Sequence, residues 1–370
     1  TTRYGGFVRI SQKDSNEKAT LELEATTLEG NTGRYGGSIH ATFIADVLLS
    51  NDVVFKDNYA THGNGGAILF EASGMLACNK CHFEDNHAIN EGGAIKVDNA
   101  NAKIYLNATT FSGNYQHNQE SGTTIQIHQA NTFAMNNCTI ADDTYSLKNN
   151  RDTSPRVSWM SFKEPQKLWV SNSTFIGVPR FDGEPTAGGL LRMWLDVNTD
   201  VNLVNNIVVN DEQENTWSFC QMDKSWAQGT RASVKLYHTK YCAIENLAGT
   251  GDMLTYLENP TSSGFSRSSF GDLTWNADKC YWSWNGVMAS GNNKNMITAS
   301  QFIATLDNAL PEFKTWLMSA DALYKDQLGN GRGNGAWWPG AYQGAEEILG
   351  GDFGNVEIPE YDEEDILADL

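Results

Sequence analysis

Apolar positions in the first third of the chain come in short alternating runs, and each run follows a glycine pair. Ile68 and Phe70 follow Gly65 and Gly66, Ile95 and Val97 follow Gly92 and Gly93, and Ile125 and Ile127 follow a degenerate Ser121–Gly122. A period of two predicts strands that bury one face. A second alternating run follows in each unit: Leu76 and Cys78, Ile104 and Leu106, Phe133 and Met135. A third signal is an apolar residue followed three positions later by Asn, as in LEGN at Leu28, FKDN at Phe55, FEDN at Phe83 and FSGN at Phe111. The anchors Leu28, Phe55, Phe83, Phe111 and Ile140 recur every 27 to 29 residues, and Phe175 and Ile207 extend the series across insertions. With no helical period between them, such units predict an all-β solenoid, a parallel β-helix. Equivalent residues of successive coils then stack about 4.8 Å apart.

The glycines suit sharp corners that reject a Cβ. Asn31, Asn58, Asn86 and Asn114 occupy one coil position, and Asn51, Asn79, Asn107 and Asn136 are expected at another, where stacked amides hydrogen-bond along the rod. That placement argues against glycosylation at the triplets starting at Asn107, Asn137 and Asn172. The polar run from Asp142 to Pro155 breaks the period and reads as a projecting loop. Regular coils are expected over 1–145, and longer, tryptophan-rich coils over 157–284, within a β-helix spanning 1–298. Residues 299–324 carry apolar positions at helical spacing, interrupted at Pro311, and predict two short helices closing the end of the stack. This helical cap and a closing motif span 299–349, and an acidic tail follows over 350–370.

The paired GGA-aliphatic and F-x-x-N elements resemble the repeat of the chlamydial polymorphic outer membrane proteins and of bacterial surface proteins related in fold to pectate lyases. That likeness covers residues 3 to 125 and implies a single-stranded right-handed parallel β-helix. DQLGNGR (Asp326 to Arg332) followed by WWPGAYQ (Trp337 to Gln343) resembles the closing motif of secreted β-helix proteins of Bacteroidota, with Gln343 where that motif has Glu. Both likenesses imply a location outside the cell or on the outer surface of a Gram-negative bacterium. The opening TTRYGGFVRI has a glycine pair without its own aromatic-x-x-Asn partner, so the coil it begins is expected to be incomplete, with any export signal upstream.

A formal charge of −19 argues against nucleic acid or an anionic membrane surface as partner, and no apolar run reaches the length of a membrane-spanning helix. It also disfavours a polyanionic substrate unless a divalent cation intervenes. Six cysteines stand at 78, 81, 138, 220, 242 and 280. Cys78 and Cys81 have the spacing of a zinc half-site or redox pair, yet stacking makes buried free thiols the better expectation. Cys220 and Cys242 stay open as a pair.

Ligands of such a rod bind outward-facing side chains. If Ile10, Ile39, Ile68, Ile95, Ile125 and Leu191 face inward, then Ser11, His40, Leu69, Lys96, Gln126 and Arg192 face out. Two positions further come Glu71, Asp98, His128 and Trp194. Glu71, Asp98 and His128 are candidates for binding a carbohydrate or host-cell ligand. Two stacked carboxylates there have the chemistry to share a proton or a Ca2+ ion. Arg192 and Asp196, with Lys235 on the next coil, are the catalytic candidates, and Trp159, Trp194 and Tyr237 are stacking surfaces for sugar rings. Asp57 over Asp85 is a third cluster, read as a tolerated turn. No other metal site, nucleophile elbow or phosphate loop is present. The function expected is a non-catalytic adhesin or glycan-contacting module. The alternative is a polysaccharide lyase or glycoside hydrolase working on the tryptophan-rich coils.

Overall fold

The computed structural model describes residues 4–12, 17–117, 122–141 and 158–176, the segments named below between 180 and 288, and 297–327 with 329, 331, 332 and Ala336–Trp337. The predicted loop over 142–155, the residues after 337 and Cys280 lie outside the described residues.

The chain winds as a parallel β-solenoid. Each coil contributes strands to three long stacks. In the first, Val8–Gln12, Ile39–Phe43, Ile68–Ala72 and Ile95–Asp98 succeed one another, then the starts of Ile125–Asn136 and Met160–Ser171, then Gly189–Met193, Ser218–Met222 and Leu254–Tyr256. In the second, Ala19–Glu24 pairs with the start of Ala45–Lys56, and the stack runs on to Asp200–Val204 and Ser233–Tyr237. The third holds the anchors in register: Leu28, Phe55, Phe83, Phe111, Ile140, Phe175, Val208 and Tyr241. The expected anchor Ile207 is therefore one residue early, since Ile207 pairs with Thr174 and Val208 pairs with Phe175. A short fourth stack runs through Thr32–Gly33, Tyr59–Ala60, His87–Ala88 and Tyr115–Gln116.

The interior is one apolar column per sheet, and rings of Phe55, Phe83 and Phe111 stack at 4.8 and 4.9 Å, nearly parallel. Such pairs add about 0.5–1.5 kcal/mol each beyond the area they bury. Cys78, Cys81 and Cys138 are buried free thiols, and burial pushes Cys138 up to about 12. Backbone register puts Cys220 in the first stack and Cys242 in the third.

Two different constraints select the two glycines of each pair. Gly36, Gly65 and Gly92 sit at φ of 63°, 69° and 66°, the left-handed region that a Cβ disfavours. Their followers lie against the next coil: a Cβ on Gly37 would stand 1.8 Å from the Gly66 carbonyl oxygen, and one on Gly66 would stand 1.9 Å from that of Gly93. The residue before each anchor Asn is left-handed too, and the column reads Gly30, Asp57, Asp85, Gly113. Gly and Asp are residues that tolerate that conformation, so the stacked aspartates are a turn requirement.

The first asparagine ladder is continuous. The side-chain amide of Asn31 donates to Asn58 Oδ1 at 3.0 Å, Asn58 to Asn86 at 2.8 Å, and Asn86 to Asn114 at 2.9 Å. The second ladder links Asn79, Asn107 and Asn136, and continues through Asn172 to Asn205. Ser50, not Asn51, faces Asn79 in unbroken register from Val47, and the pairing shifts only after it; Asn51 donates instead to Glu24. Asn107, Asn137 and Asn172 are all buried, which closes the three glycosylation triplets to a sugar.

The two helices form where expected, α1 over Ala299–Ala309 and α2 over Pro311–Ser319, with Pro311 in the first turn of α2 where its missing N–H costs nothing. Their position corrects the expectation. Phe302, Leu306, Leu310, Phe313 and Leu317 pack against Ala77, Tyr105, Ala134, Trp169 and Val204, the outward side chains of the second sheet on successive coils. The helices thus lie along the flank of the rod. Burial beneath α2, with Glu312 nearby, pushes Tyr105 up to about 12. The Asp326-to-Arg332 motif fastens the segment that follows. Arg332 Nη2 donates to Asn137 Oδ1 at 2.9 Å, Asn137 Nδ2 donates to the Lys325 carbonyl at 2.6 Å, and Gln327 bridges Thr139 and Thr110. Gly329 takes φ +87° in the turn between the buried Asp326 and Arg332.

Candidate functional site

The first sheet carries the outward columns on which a ligand surface was expected. His40, Leu69, Lys96, Gln126, Ser161 and Arg192 do share one column. Ser11 does not belong to it: Val8 pairs with Ile39, so Arg9 faces His40 and Ser11 faces Thr42. The glycine spacing held that signal, since Gly5–Gly6–Phe7–Val8 matches Gly36–Gly37–Ser38–Ile39.

This column is covered. His40, Lys96, Gln126 and Arg192 are each less than 5 % exposed. The glycine corners fold back over it. Lys96 donates to Glu91 within its own corner, a Cβ on Gly122 would stand 2.3 Å from Gln126 Oε1, and His40 stacks on Tyr4 with the Tyr35 ring tilted beside it. An outward residue on the pleat is therefore not automatically a surface residue here.

The open edge lies two positions further along. Glu71 faces Thr42 and Asp98 follows the Val97–Phe70 rung, so the sequence placed both correctly. The two carboxylates turn to different partners, however. Glu71 Oε2 lies 2.7 Å from His40 Nε2, while Asp98 Oδ2 lies 3.2 Å from His128 Nδ1. His128 Nε2 in turn lies 3.0 Å from Lys163 Nζ. Beside them the strand pairing skips a residue: Val97 pairs with Ile127, but Asp98 pairs with Gln129, which leaves His128 out of the ladder. The next coil carries the same extra residue, so that Ile127 faces Phe162 and Gln129 faces Glu164, with His128 and Lys163 between. Gln129 Nε2 donates to Glu164 Oε2 at 2.9 Å and extends the polar edge. Lys163 and Gln129 were missed in the sequence because a strict period of two passes over a bulge; the one-residue-longer interval after Val97 was the available signal. Among the described residues, no group of three His, Cys, Asp or Glu is placed to hold a metal ion.

The second constellation does not assemble as expected. Arg192 is buried in Gly189–Met193, where its neighbour on the following coil is Gln221. Lys235 and Tyr237 belong to Ser233–Tyr237 in the second sheet, opposite Asn202 and Val204. The reason is coil length: counting one coil from Leu191 reaches Cys220, and Lys235 is already on the next side of the solenoid. Trp194 and Asp196 lie outside the described residues. Trp159 is fully buried in the interior, and Trp169 lies under α1, so neither offers a ring face to a sugar.

A further cluster forms on the fourth sheet. Tyr59, His87 and Tyr115 occupy one column, with ring centroids 4.1 and 4.8 Å apart, and His117 packs beside them. Burial, with His117 close by, lowers His87 to about 4, and burial raises Tyr115 to about 12. These are neutral, packed rings at physiological pH. The Asp57 carboxyl is raised by burial, while Lys56 pairs with Glu84 at 3.1 Å.

Residues 52–71 match the Chlamydia polymorphic membrane protein repeat. The match spans one unit, from FKDN at Phe55 through the Gly65–Gly66 corner to Glu71. Together with the stacked parallel strands it identifies a β-helix repeat protein. No curated protein and no solved structure matches the chain. Among the described residues no helix is long and apolar enough to cross a membrane.

Proposed function

We propose that this chain is a surface-associated β-helix protein of a Gram-negative bacterium that contacts a carbohydrate or host-cell ligand without cleaving it. The repeat similarity supports the surface location. The observation that carries the contact role is the polar edge of the first sheet, where Glu71, Asp98, His128, Gln129 and Glu164 stand on successive coils. Evenly spaced donors and acceptors on a rigid rod fit an extended chain of hydroxyl groups. The same geometry disfavours glycosidic hydrolysis, which needs two carboxyl groups flanking one bond. Here Glu71 and Asp98 are each taken up by a histidine, and Arg192 is enclosed.

The test is a glycan array probed with the full chain, followed by product analysis on every hit. Binding without cleavage, weakened at least about tenfold by the double substitution Glu71→Ala and Asp98→Ala, is the expected result. Release of hydrolysed or unsaturated products, or binding indifferent to both substitutions, refutes it.

A further inference from the structure

We propose that Lys163 is an activated amine that condenses with small polyhydroxylated aldehydes, and that His128 and Asp98 form the relay that takes up its proton. A lysine ammonium has donors only, so at the 3.0 Å contact His128 Nε2 must accept from Lys163 Nζ. That leaves the ring proton on Nδ1, which donates to Asp98 Oδ2 at 3.2 Å. Carboxylate, imidazole and amine thus stand in the order in which a nucleophile is deprotonated by a base that a third group orients.

A surface ion-pair ladder does not account for this arrangement. Among the described residues the nearest carboxylate to Lys163 is Glu164, at 4.0 Å, and Glu164 is engaged by Gln129. The closer partner of the ammonium is an imidazole nitrogen, which offers no charge pairing. The placement also depends on an irregularity. The skip between the Val97–Ile127 and Asp98–Gln129 pairs leaves His128 outside the ladder beside Asp98, unbroken register on the next coil sets it across from Lys163, and bulges of this kind re-aim side chains beside functional sites. All three side chains remain open to solvent, at 37 %, 35 % and 27 % exposure for Asp98, His128 and Lys163. Glu164, 4.0 Å from the amine and itself bonded by Gln129, supplies hydrogen-bonding groups beside it, which suits a hydroxylated aldehyde such as the open-chain end of a reducing sugar.

The step balances without a further reagent. Lys163 Nζ gives a proton to His128 Nε2, and the imidazolium is held by Asp98. The freed lone pair forms the C–N bond as the carbonyl π pair moves to oxygen, which takes the proton back from Nε2. Nζ then passes a second proton through Nε2 to the new hydroxyl, which leaves as water. Ammonium and aldehyde become iminium and water.

The test exposes the full chain to glycolaldehyde at neutral pH, reduces any imine with cyanoborohydride and maps adducts by peptide mass. Lys163 is expected to label about a hundredfold faster than the exposed Lys80, the low end of what a positioned base contributes. His128→Gln keeps a side chain able to accept and donate hydrogen bonds but removes the base. It is expected to bring Lys163 down to the Lys80 rate at unchanged thermal stability, and Asp98→Asn to do so in part. Equal labelling of Lys163 and Lys80, or a Lys163 rate indifferent to His128→Gln, overturns the proposal. This readout is independent of the glycan array: either result can fail while the other stands.

Discussion

Replacing Asn86 by alanine removes the central rung of the first asparagine ladder. Asn86 is fully buried. Its Oδ1 accepts from the Asn58 backbone N–H at 3.1 Å and from the Asn58 amide at 2.8 Å, while its Nδ2 donates to the Phe55 carbonyl and to Asn114 Oδ1, both at 2.9 Å. Four hydrogen bonds are lost, and the donors of Asn58 are left in the interior without this acceptor. At about 1 kcal/mol net per bond, with a further 1–3 kcal/mol for a stranded buried donor, the cost is about 5–7 kcal/mol. Asn31, the half-buried first rung, is the internal comparison. Its side chain makes one ladder bond, to Asn58 Oδ1, and its backbone N–H keeps the other, so Asn31→Ala should cost about 1 kcal/mol. Urea unfolding followed by far-UV circular dichroism reads the difference as a shift in midpoint. Equal midpoints for the two variants would refute the reasoning, because they would mean that the interior amides are exchanged for water or backbone partners at no cost.

Gly66→Ala places a Cβ 1.9 Å from the Gly93 carbonyl oxygen and should abolish folded or refoldable protein, whereas Gly30→Ala, at φ +63° with nothing within 4 Å, should cost only about 1–2 kcal/mol; yield and thermal midpoint decide it. His87 makes the rod sensitive to acid. Its folded pKa, about 4, lies below the ordinary value of 6.5, so its contribution is present above 6.5 and is lost as pH falls from 6.5 to 4. The loss is about 3 kcal/mol, and His87→Phe, which preserves the stack between Tyr59 and Tyr115, should flatten the urea midpoint over that range. Trp169→Ala should cost about 3–5 kcal/mol and free the flanking helices, seen as faster proteolysis between 299 and 325 while the coils resist; unchanged proteolysis counts against the docking.

Much of the solenoid was legible because stacking turns a sequence interval into a spatial contact. Phe55, Phe83 and Phe111 are identical residues at one interval, and the glycine corners mark where each coil turns. Register failed where the interval changed. Ile10 lay two steps past Val8, so its parity survived, whereas Ile207 lay one step short of Val208, the partner of Phe175. The candidate site was half legible for the same reason. Glu71, Asp98 and His128 were placed on the right edge by alternation, but their pairing was not, since the bulge opposite Asp98 breaks the alternation that located it. Burial of His40, Lys96 and Arg192 depends on corners folding back over the sheet, which no pattern of twos expresses. Trp159 was assigned to the surface, yet it fills the interior of its coil, where a wide coil needs large side chains.

The flank position of the helices follows from one column of the second sheet. Leu48, Ala77, Tyr105, Ala134 and Trp169 point away from the interior, rung above rung, and leave an apolar stripe that alternation predicts to be polar. An outward stripe of that length needs a cover, and α1 and α2 supply apolar faces that match it. The cover changes how the rod holds together. A solenoid is stabilised almost wholly by contacts between neighbouring coils, so its ends fray independently. Here Gln327 reaches back to Thr110 and Thr139, and Arg332 to Asn137, tying the segment after α2 to corners some two hundred residues earlier. The buried charge of Arg332 is compensated by Asp326 and by the Asn137 carbonyl oxygen, and burial alone would otherwise make that end costly. The Asp-x-x-Gly-x-x-Arg motif is therefore read best as a clasp: the aspartate supports the arginine, the left-handed glycine turns the chain between them, and the arginine grips a corner of the coil.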